Sequence, residues 1–144
     1  MTVSALEEAL GYNIYRAGLL FRRELIRALS EYKMTPEQWQ VMMTLWQTEQ
    51  PISQSEIVQL LLKDKPTVSR IIQRLSRDGW IKKQTGPGDA RKTMIRLTKK
   101  GASLKEEVPS KLSAHFDKIL RHFDDQEIDG AITFLKKLRV ALGD

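Results

Sequence analysis

Between residues 53 and 98 the hydrophobic period of the sequence switches once, and that switch constrains the fold more than any other feature. The stretch SQSEIVQLLLKDKPTVSRIIQRLSRDG (53–79) carries helical spacing in two short pieces, whereas WIKKQT (80–85) and TMIRLT (93–98) alternate with period two. Ser53 followed three residues on by Glu56 forms a capping box, and it predicts a helix with Ile57, Leu60 and Leu61 facing inward. After Lys63-Asp64, Pro66 suits the first turn of a second helix that runs to Asp78 and stops at Gly79. Helices of about nine and twelve residues joined by three or four have helix-turn-helix spacing, although many helical proteins contain such pairs. A hairpin follows at once, with GPGDARK (86–92) predicted as the loop of a sharp, irregular reversal.

The flanks read as helices. Ser4 and Glu7 form another capping box, and Leu6, Leu10, Ile14, Ala17, Phe21, Leu25 and Ala28 make a helical stripe to about Leu29. Thr35, Pro36 and Gln38 open a second helix whose expected buried side is Trp39, Met42, Met43, Leu45 and Trp46. Pro51 breaks the chain, and Ile52 has room to add one short strand. Thr98 caps a later helix, expected to bend or pause at Pro109, with Leu112, Phe116, Ile119 and Phe123 on its stripe. Asp124 and Glu127 open a last helix, expected to bury Ile128, Ala131, Ile132, Leu135, Leu138 and Leu142.

Charge is concentrated in the same middle stretch. Residues 63–100 hold twelve Lys and Arg against Asp64, Asp78 and Asp89, a balance of +9, while the remainder balances to −3. A charge run is often just a solvated face, but one sign confined to the centre is better explained by contact with a polyanion such as phosphate. On a wheel of about 100° per residue, Val68, Ile71, Ile72 and Leu75 form the core side of the second short helix. Opposite lie Pro66, Ser69, Arg70, Gln73 and Arg77, flanked by Thr67 and Arg74, with no acid before Asp78. Small hydroxyls near the N-terminus and Arg one turn later suit insertion into a DNA major groove, where Arg grips guanine O6 and N7 with two bonds. The hairpin then acts as a wing whose Arg91 and Lys92 reach the adjoining minor groove. Asp89 makes sense there if it pairs with a nearby Arg and sets the direction of its guanidinium.

The order helix-turn-helix, then DGWI, then a wing reading D-x-R-x-x-x-I-x-L-T-x-x-G resembles the MarR family of bacterial transcriptional regulators. The matching residues are Asp89, Arg91, Ile95, Leu97, Thr98 and Gly101, behind PTVSRIIQRLSRDG (66–79), which resembles the family's recognition helix. The resemblance covers nearly the whole chain. It implies a mainly α fold with a small β-hairpin wing, in which residues 33–101 form a winged helix-turn-helix DNA-binding lobe. Residues 1–32 and 102–144 would supply the dimerisation helices. It also implies Arg91 in the minor groove, Asp89 orienting the wing, Lys65, Thr67, Ser69, Arg70 and Arg74 on the groove-facing helix, and Ser53, Gln54 and Ser55 on phosphate. Pro66 departs from the small polar residue expected at its position, which leaves base readout there open.

The terminal stripes are wider than one helical lobe covers. Leu6, Leu10 and Ile14, with Ile119, Phe123, Ile132, Leu135 and Leu138, suit a two-fold interface, against the plainer reading of a bundle within one chain. A homodimer would place two recognition helices in successive major grooves, on an inverted repeat with half-sites about 10 base pairs apart. Family members usually repress and respond to a small ligand. Tyr12, Tyr15, Arg16, Trp39, Met43 and Trp46 form a candidate pocket for an aromatic or anionic effector, although such a stripe is more often core. His115 and His122 fall on similar sides of one helix, about 10.5 Å apart along its axis, too far to share one metal directly. Zinc sensing, known in a related subgroup, is therefore the lesser reading beside ordinary surface histidines.

No phosphate-cradling glycine loop, metal-ligand cluster or nucleophile with a base stands out, so neither an enzyme nor a cofactor is expected. Glycines 86 and 88 lie between strands, not between a strand and a helix. There is no cysteine, which removes disulfides and thiol switches. MTVSALEEALGYN does not read as a secretory signal, and no apolar run approaches the roughly 20 residues of a membrane span, so a cytoplasmic protein is expected. An architectural DNA binder without a ligand remains a distinct alternative.

Overall fold

The computed structural model describes residue 5 and residues 8–144. The capping box expected at Ser4 and Glu7, and the expected interface residue Leu6, lie outside the described residues. The elements are α1 (Leu10–Leu29), a 3-10 turn (Ser30–Tyr32), α2 (Pro36–Thr48), β1 (Ile52–Ser53), α3 (Gln54–Leu61), α4 (Lys65–Arg77), β2 (Ile81–Gly86), β3 (Asp89–Leu97), α5 (Lys99–Ser103), α6 (Glu107–Leu120) and α7 (Asp125–Ala141). The fold is mainly α with one three-stranded antiparallel sheet in the order β1-β3-β2. The chain divides into two compact units, one ending at Leu112 and one spanning Ser113–Asp144.

In the first unit, α2, α3 and α4 bury Val41, Met42, Leu45, Trp46, Ile57, Val68, Ile72 and Leu75 against Ile81 and Ile95 of the sheet. The start of each helix is set by its cap. Thr35 and Gln38 bond reciprocally at the head of α2, and Ser53 and Glu56 do so at α3. Asp64, whose capping role the sequence reading did not anticipate, caps α4 by accepting the Thr67 N–H at 2.8 Å. The buried face of α2 differs from expectation, since Gln38 and Val41 join it while Trp39 and Met43 are only half-buried. Ile71 of α4 and Leu60 of α3 are likewise half-buried.

The motif linking wing and helix has a mechanical explanation. The Thr98 N–H donates to Trp80 O at 3.1 Å, and its hydroxyl donates to Gly79 O and accepts from Gly101 N–H at 3.0 Å. Gly101 packs so tightly that an added Cβ would stand 2.1 Å from the Trp80 carbonyl oxygen. The Trp46 indole N–H closes the corner, donating to Gly101 O at 2.9 Å. Thus Gly79, Trp80, Thr98 and Gly101 fasten the base of the wing to α5 and to the core.

Two sequence expectations are corrected. Asp89, Ala90, Arg91 and Lys92, expected in a loop, belong to β3, and the reversal is confined to Pro87-Gly88, where Gly88 takes φ +77°. The helix after Thr98 does not bend at Pro109. It ends at Ser103, and a new helix starts at Glu107 with Pro109 in its first turn, where a missing N–H costs nothing.

The second unit contains the end of α6 and all of α7, whose capping box of Asp124 and Glu127 is present. None of the α7 residues expected to be buried is buried within the chain. Ile132 and Leu135 are exposed, and Ile128 and Leu138 only half-covered. On α1 only Leu29 is fully buried.

Candidate nucleic-acid interface

Three structural parts meet around one cleft. The N-terminal end of α3, the first residue of α4 and the wing tip together line a concavity of about 430 Å³, with Ser53, Gln54, Ser55, Lys65, Asp89, Arg91 and Lys92 on its walls. Residues far apart in sequence are joined here by β3, which pairs with β1 through Ile52↔Ile95 and Ser53↔Met94. That pairing brings the head of α3, starting at Gln54, beside the wing.

On α4, Val68, Ile72 and Leu75 are buried, while Lys65, Pro66, Arg70, Gln73 and Arg74 are exposed and Thr67 and Ser69 half-buried. The Arg70 guanidinium donates to the Thr67 hydroxyl at 3.3 Å, which draws it toward the N-terminal end of the helix. Hydroxyl and backbone N–H of Thr67 hold the Asp64 carboxyl below its ordinary value, so the cap stays ionised. Among the described residues, no carboxylate lies within ion-pair distance of Lys65, Arg70, Arg74 or Lys92. Their charge remains available to a partner from outside.

The wing tip is irregular for a definite reason. Thr85 pairs with Thr93, yet Gly86 pairs with Asp89, so Ala90, Arg91 and Lys92 bulge out of β3 with no counterpart on β2. Asp89 stabilises that bulge by accepting the Arg91 N–H at 2.9 Å, and its carboxylate lies 3.8 Å from the Arg91 Nε. The Arg91 side chain is 97% exposed and stands clear of the hairpin. Gly86 is buried because the Lys92 stem crosses it. A Cβ there would come within 3.0 Å of the Lys92 Cβ.

Other expected site residues are placed differently. The Ser53 side chain is committed inside the protein, accepting from Glu56 N–H at 3.1 Å and lying 3.0 Å from the Ser55 hydroxyl. Trp46 is core, whereas Tyr12, Tyr15 and Arg16 are exposed on α1. Trp39 and Met43 are half-buried, and the Trp39 indole nitrogen is enclosed without a hydrogen-bond partner. His115 stacks edge-on against Phe116 at 5.4 Å. Among the described residues, no three His, Asp or Glu side chains gather as a metal site.

Sequence reasoning missed Asp64, Val58 and Thr93 in this region. The Asp64 cap was legible, being an acid three residues before Thr67. The places of Val58 and Thr93 in the cleft were not, because they depend on how β1 registers against β3. It also missed a group around Tyr32, where Lys111 lies 5.6 Å over the ring and pairs with Glu31. Burial first, and the Glu107 charge second, push the Tyr32 phenol above its ordinary value.

The model of the MarR family matches residues 34–93. The chain is 31% identical to the HTH-type transcriptional regulator PecS of Dickeya dadantii over 114 residues, covering 78% of this chain and 69% of that protein. It is 29% identical to an uncharacterized HTH-type transcriptional regulator, YwoH of Bacillus subtilis, over 116 residues, covering 81% and 83%. The fold superimposes with a TM-score of 0.82 on a mutant MarR from E. coli complexed with operator DNA, at 22% identity over 96% of this chain and 99% of that one.

Proposed function

The chain belongs to the MarR family of transcriptional regulators, and on that premise we propose that it binds double-stranded DNA sequence-specifically as a homodimer and represses transcription. Residues 33–101 act as the DNA-binding lobe, and residues 1–32 and 102–144 as the dimerisation region. The observation that carries this reading is the single cleft at which the head of α3, Lys65 and the wing tip converge. On the same helix as Lys65 are Arg70 and Arg74, free of carboxylate partners among the described residues. The operator complex of the mutant MarR supports the same use of this fold.

Roles follow from position. Arg70, Gln73 and Arg74, with Thr67, Ser69 and Pro66, face base edges and phosphates in the major groove. Gln54, Ser55 and the N–H groups at the head of α3 hold a phosphate, with Ser53 maintaining that helix end. Arg91 enters the minor groove, Asp89 fixes its backbone, and Lys92 and Lys65 neutralise flanking phosphates.

Dimerisation is supported by apolar residues that the single chain leaves uncovered, including Leu10, Ile119, Phe123, Ile132 and Leu135, together with the partly covered Ile14 and Leu138. Two-fold symmetry then calls for an inverted-repeat operator with half-sites about 10 base pairs apart. An aromatic or anionic effector modulates the equilibrium through the α1–α2 region that carries Tyr12, Tyr15, Arg16, Trp39 and Met43. Among the described residues no helix is long and apolar enough to cross a membrane, in keeping with a cytoplasmic site of action.

Selection of bound fragments from random duplex DNA tests partner, symmetry and spacing together. Enrichment of an inverted repeat is the expected result. Recovery of no common sequence would overturn the sequence-specific reading.

A further inference from the structure

Asp64 puts a negative charge at the head of α4, on a surface that otherwise suits phosphate. A cap alone does not explain it, because Asn or Ser caps a helix about as well and carries no charge. The other helix starts show what is different here. At α2, α3 and α7 the third residue, Gln38, Glu56 or Glu127, sends its side chain back to the N–H of the capping residue. At α4 that position holds Thr67, whose side chain is too short to reach back.

The Thr67 hydroxyl is used along the helix instead. It accepts from the Arg70 guanidinium at 3.3 Å, while the Thr67 N–H donates to Asp64 Oδ1 at 2.8 Å. The same hydroxyl, ahead of that N–H, holds the Asp64 carboxyl below its ordinary value, and the Arg70 charge adds a smaller pull. A hydroxyl has one hydrogen to give and two lone pairs to accept with. With its hydrogen turned to the carboxylate, Thr67 keeps its lone pairs for Arg70. Arg74 and Arg77, farther along α4, have no such acceptor among the described residues.

We propose that Asp64 is a positioning residue for base selection, which acts through the Thr67 hydroxyl to aim Arg70 at the base edge in front of the head of α4. This rests on the proposed binding of duplex DNA and adds to it a source of selectivity at one base pair. An unrestrained Arg finds phosphate oxygens at every step of the backbone, whereas one held beforehand is confined to what lies before it. Removing the Asp64 charge also lifts a repulsion from phosphate. Selectivity should therefore fall without a matching fall in affinity for unrelated sequences, which a merely weakened helix would not produce.

The test uses Asp64→Asn and Asp64→Ser in the 144-residue chain. Both keep an acceptor for the Thr67 N–H, so an unchanged melting temperature is expected. Neither offers the hydroxyl a second carboxylate oxygen, and in Asn a donor stands in that place. In the DNA-free parent, relaxation of the Arg side-chain Nε–H groups should show Arg70 more ordered than Arg74 and Arg77. In both variants Arg70 should become as mobile as they are. In selection from random duplexes, one position of each half-site should lose base preference by about tenfold, with a salt slope no shallower than the parent's. Arg70→Ala should erase the preference at that same position, and adding Asp64→Asn should change it no further.

A parent Arg70 as mobile as Arg74, variants in which Arg70 stays ordered, or an unchanged base preference once Arg70 is released would each overturn the proposal. So would a loss of affinity uniform across sequences with a lowered melting temperature, which would mark Asp64 as a cap alone. A parent that selects no duplex would instead overturn the DNA reading, and the relaxation data would still decide whether Asp64 holds Arg70.

Discussion

Asp89 offers the sharpest test of how the wing works, because two physical readings of it predict opposite signs. If it were only a charge beside DNA, Asp89→Ala would remove a repulsion. For a phosphate about 8 Å away in water that repulsion is about 0.5 kcal/mol, so binding would tighten roughly twofold. The structure gives the carboxylate another task, since it accepts the Arg91 N–H at 2.9 Å and lies 3.8 Å from the Arg91 Nε. An exposed hydrogen bond of this kind contributes about 0.5–1.5 kcal/mol, and a surface ion pair about 0–1. Losing both releases the bulge that presents Arg91, which is itself worth about 1–3 kcal/mol if it contacts bases. The net expectation is binding weaker by about 1 kcal/mol, close to fivefold. The assay is fluorescence anisotropy on a duplex selected by the parent protein, at several salt concentrations, for Asp89→Ala, Arg91→Ala and the double variant. Since Asp89 acts through Arg91, the double variant should bind no worse than Arg91→Ala. Tighter binding by Asp89→Ala, or additive losses, would refute the positioning role.

Three further expectations concern the scaffold. Leu135→Glu places a charge in an uncovered apolar stripe, so sedimentation should show the parent near twice 16.6 kDa and the variant as a monomer; a dimeric variant would remove α7 from the interface. Gly101→Ala drives a Cβ to 2.1 Å from Trp80 O, and overpacking of this kind costs about 1–3 kcal/mol; an unaltered melting temperature would contradict the tight corner. Glu37 is pushed up by burial, but the Arg22 guanidinium, donating at 2.7 and 3.2 Å, outweighs this and lowers its pKa below 4.5. Stability from a depressed carboxyl is present above its ordinary value and lost as pH falls through the folded one. The melting deficit of Glu37→Gln should therefore be present at pH 7 and shrink near pH 3, and a deficit constant across that range would count against the pair.

Helix α4 was legible because its determinants are local. Pro66 in the first turn, the stripe of Val68, Ile72 and Leu75, and Gly79 after the end all act within a few residues of the backbone they shape. The break after Ser103 was misplaced to Pro109 because proline is compatible with both a bend and a helix start, and sequence alone does not choose. The wing tip was misread for a related reason. GPGDARK has turn residues throughout, but only Pro87-Gly88 turns, since the ladder to β2 resumes at Asp89 and the Asp89–Arg91 bond makes a bulge affordable inside a strand.

What the sequence determined by itself was most of the helices, the cationic middle and the family, since periodicity, capping and charge are properties of neighbours along the chain. Tertiary structure decided which of those residues meet. The register of β1 on β3 carried the head of α3 to the wing, and the fold of the corner placed Gly101 O where the Trp46 indole N–H meets it. Such pairings are chosen by packing between segments distant in the chain, and no local pattern encodes them.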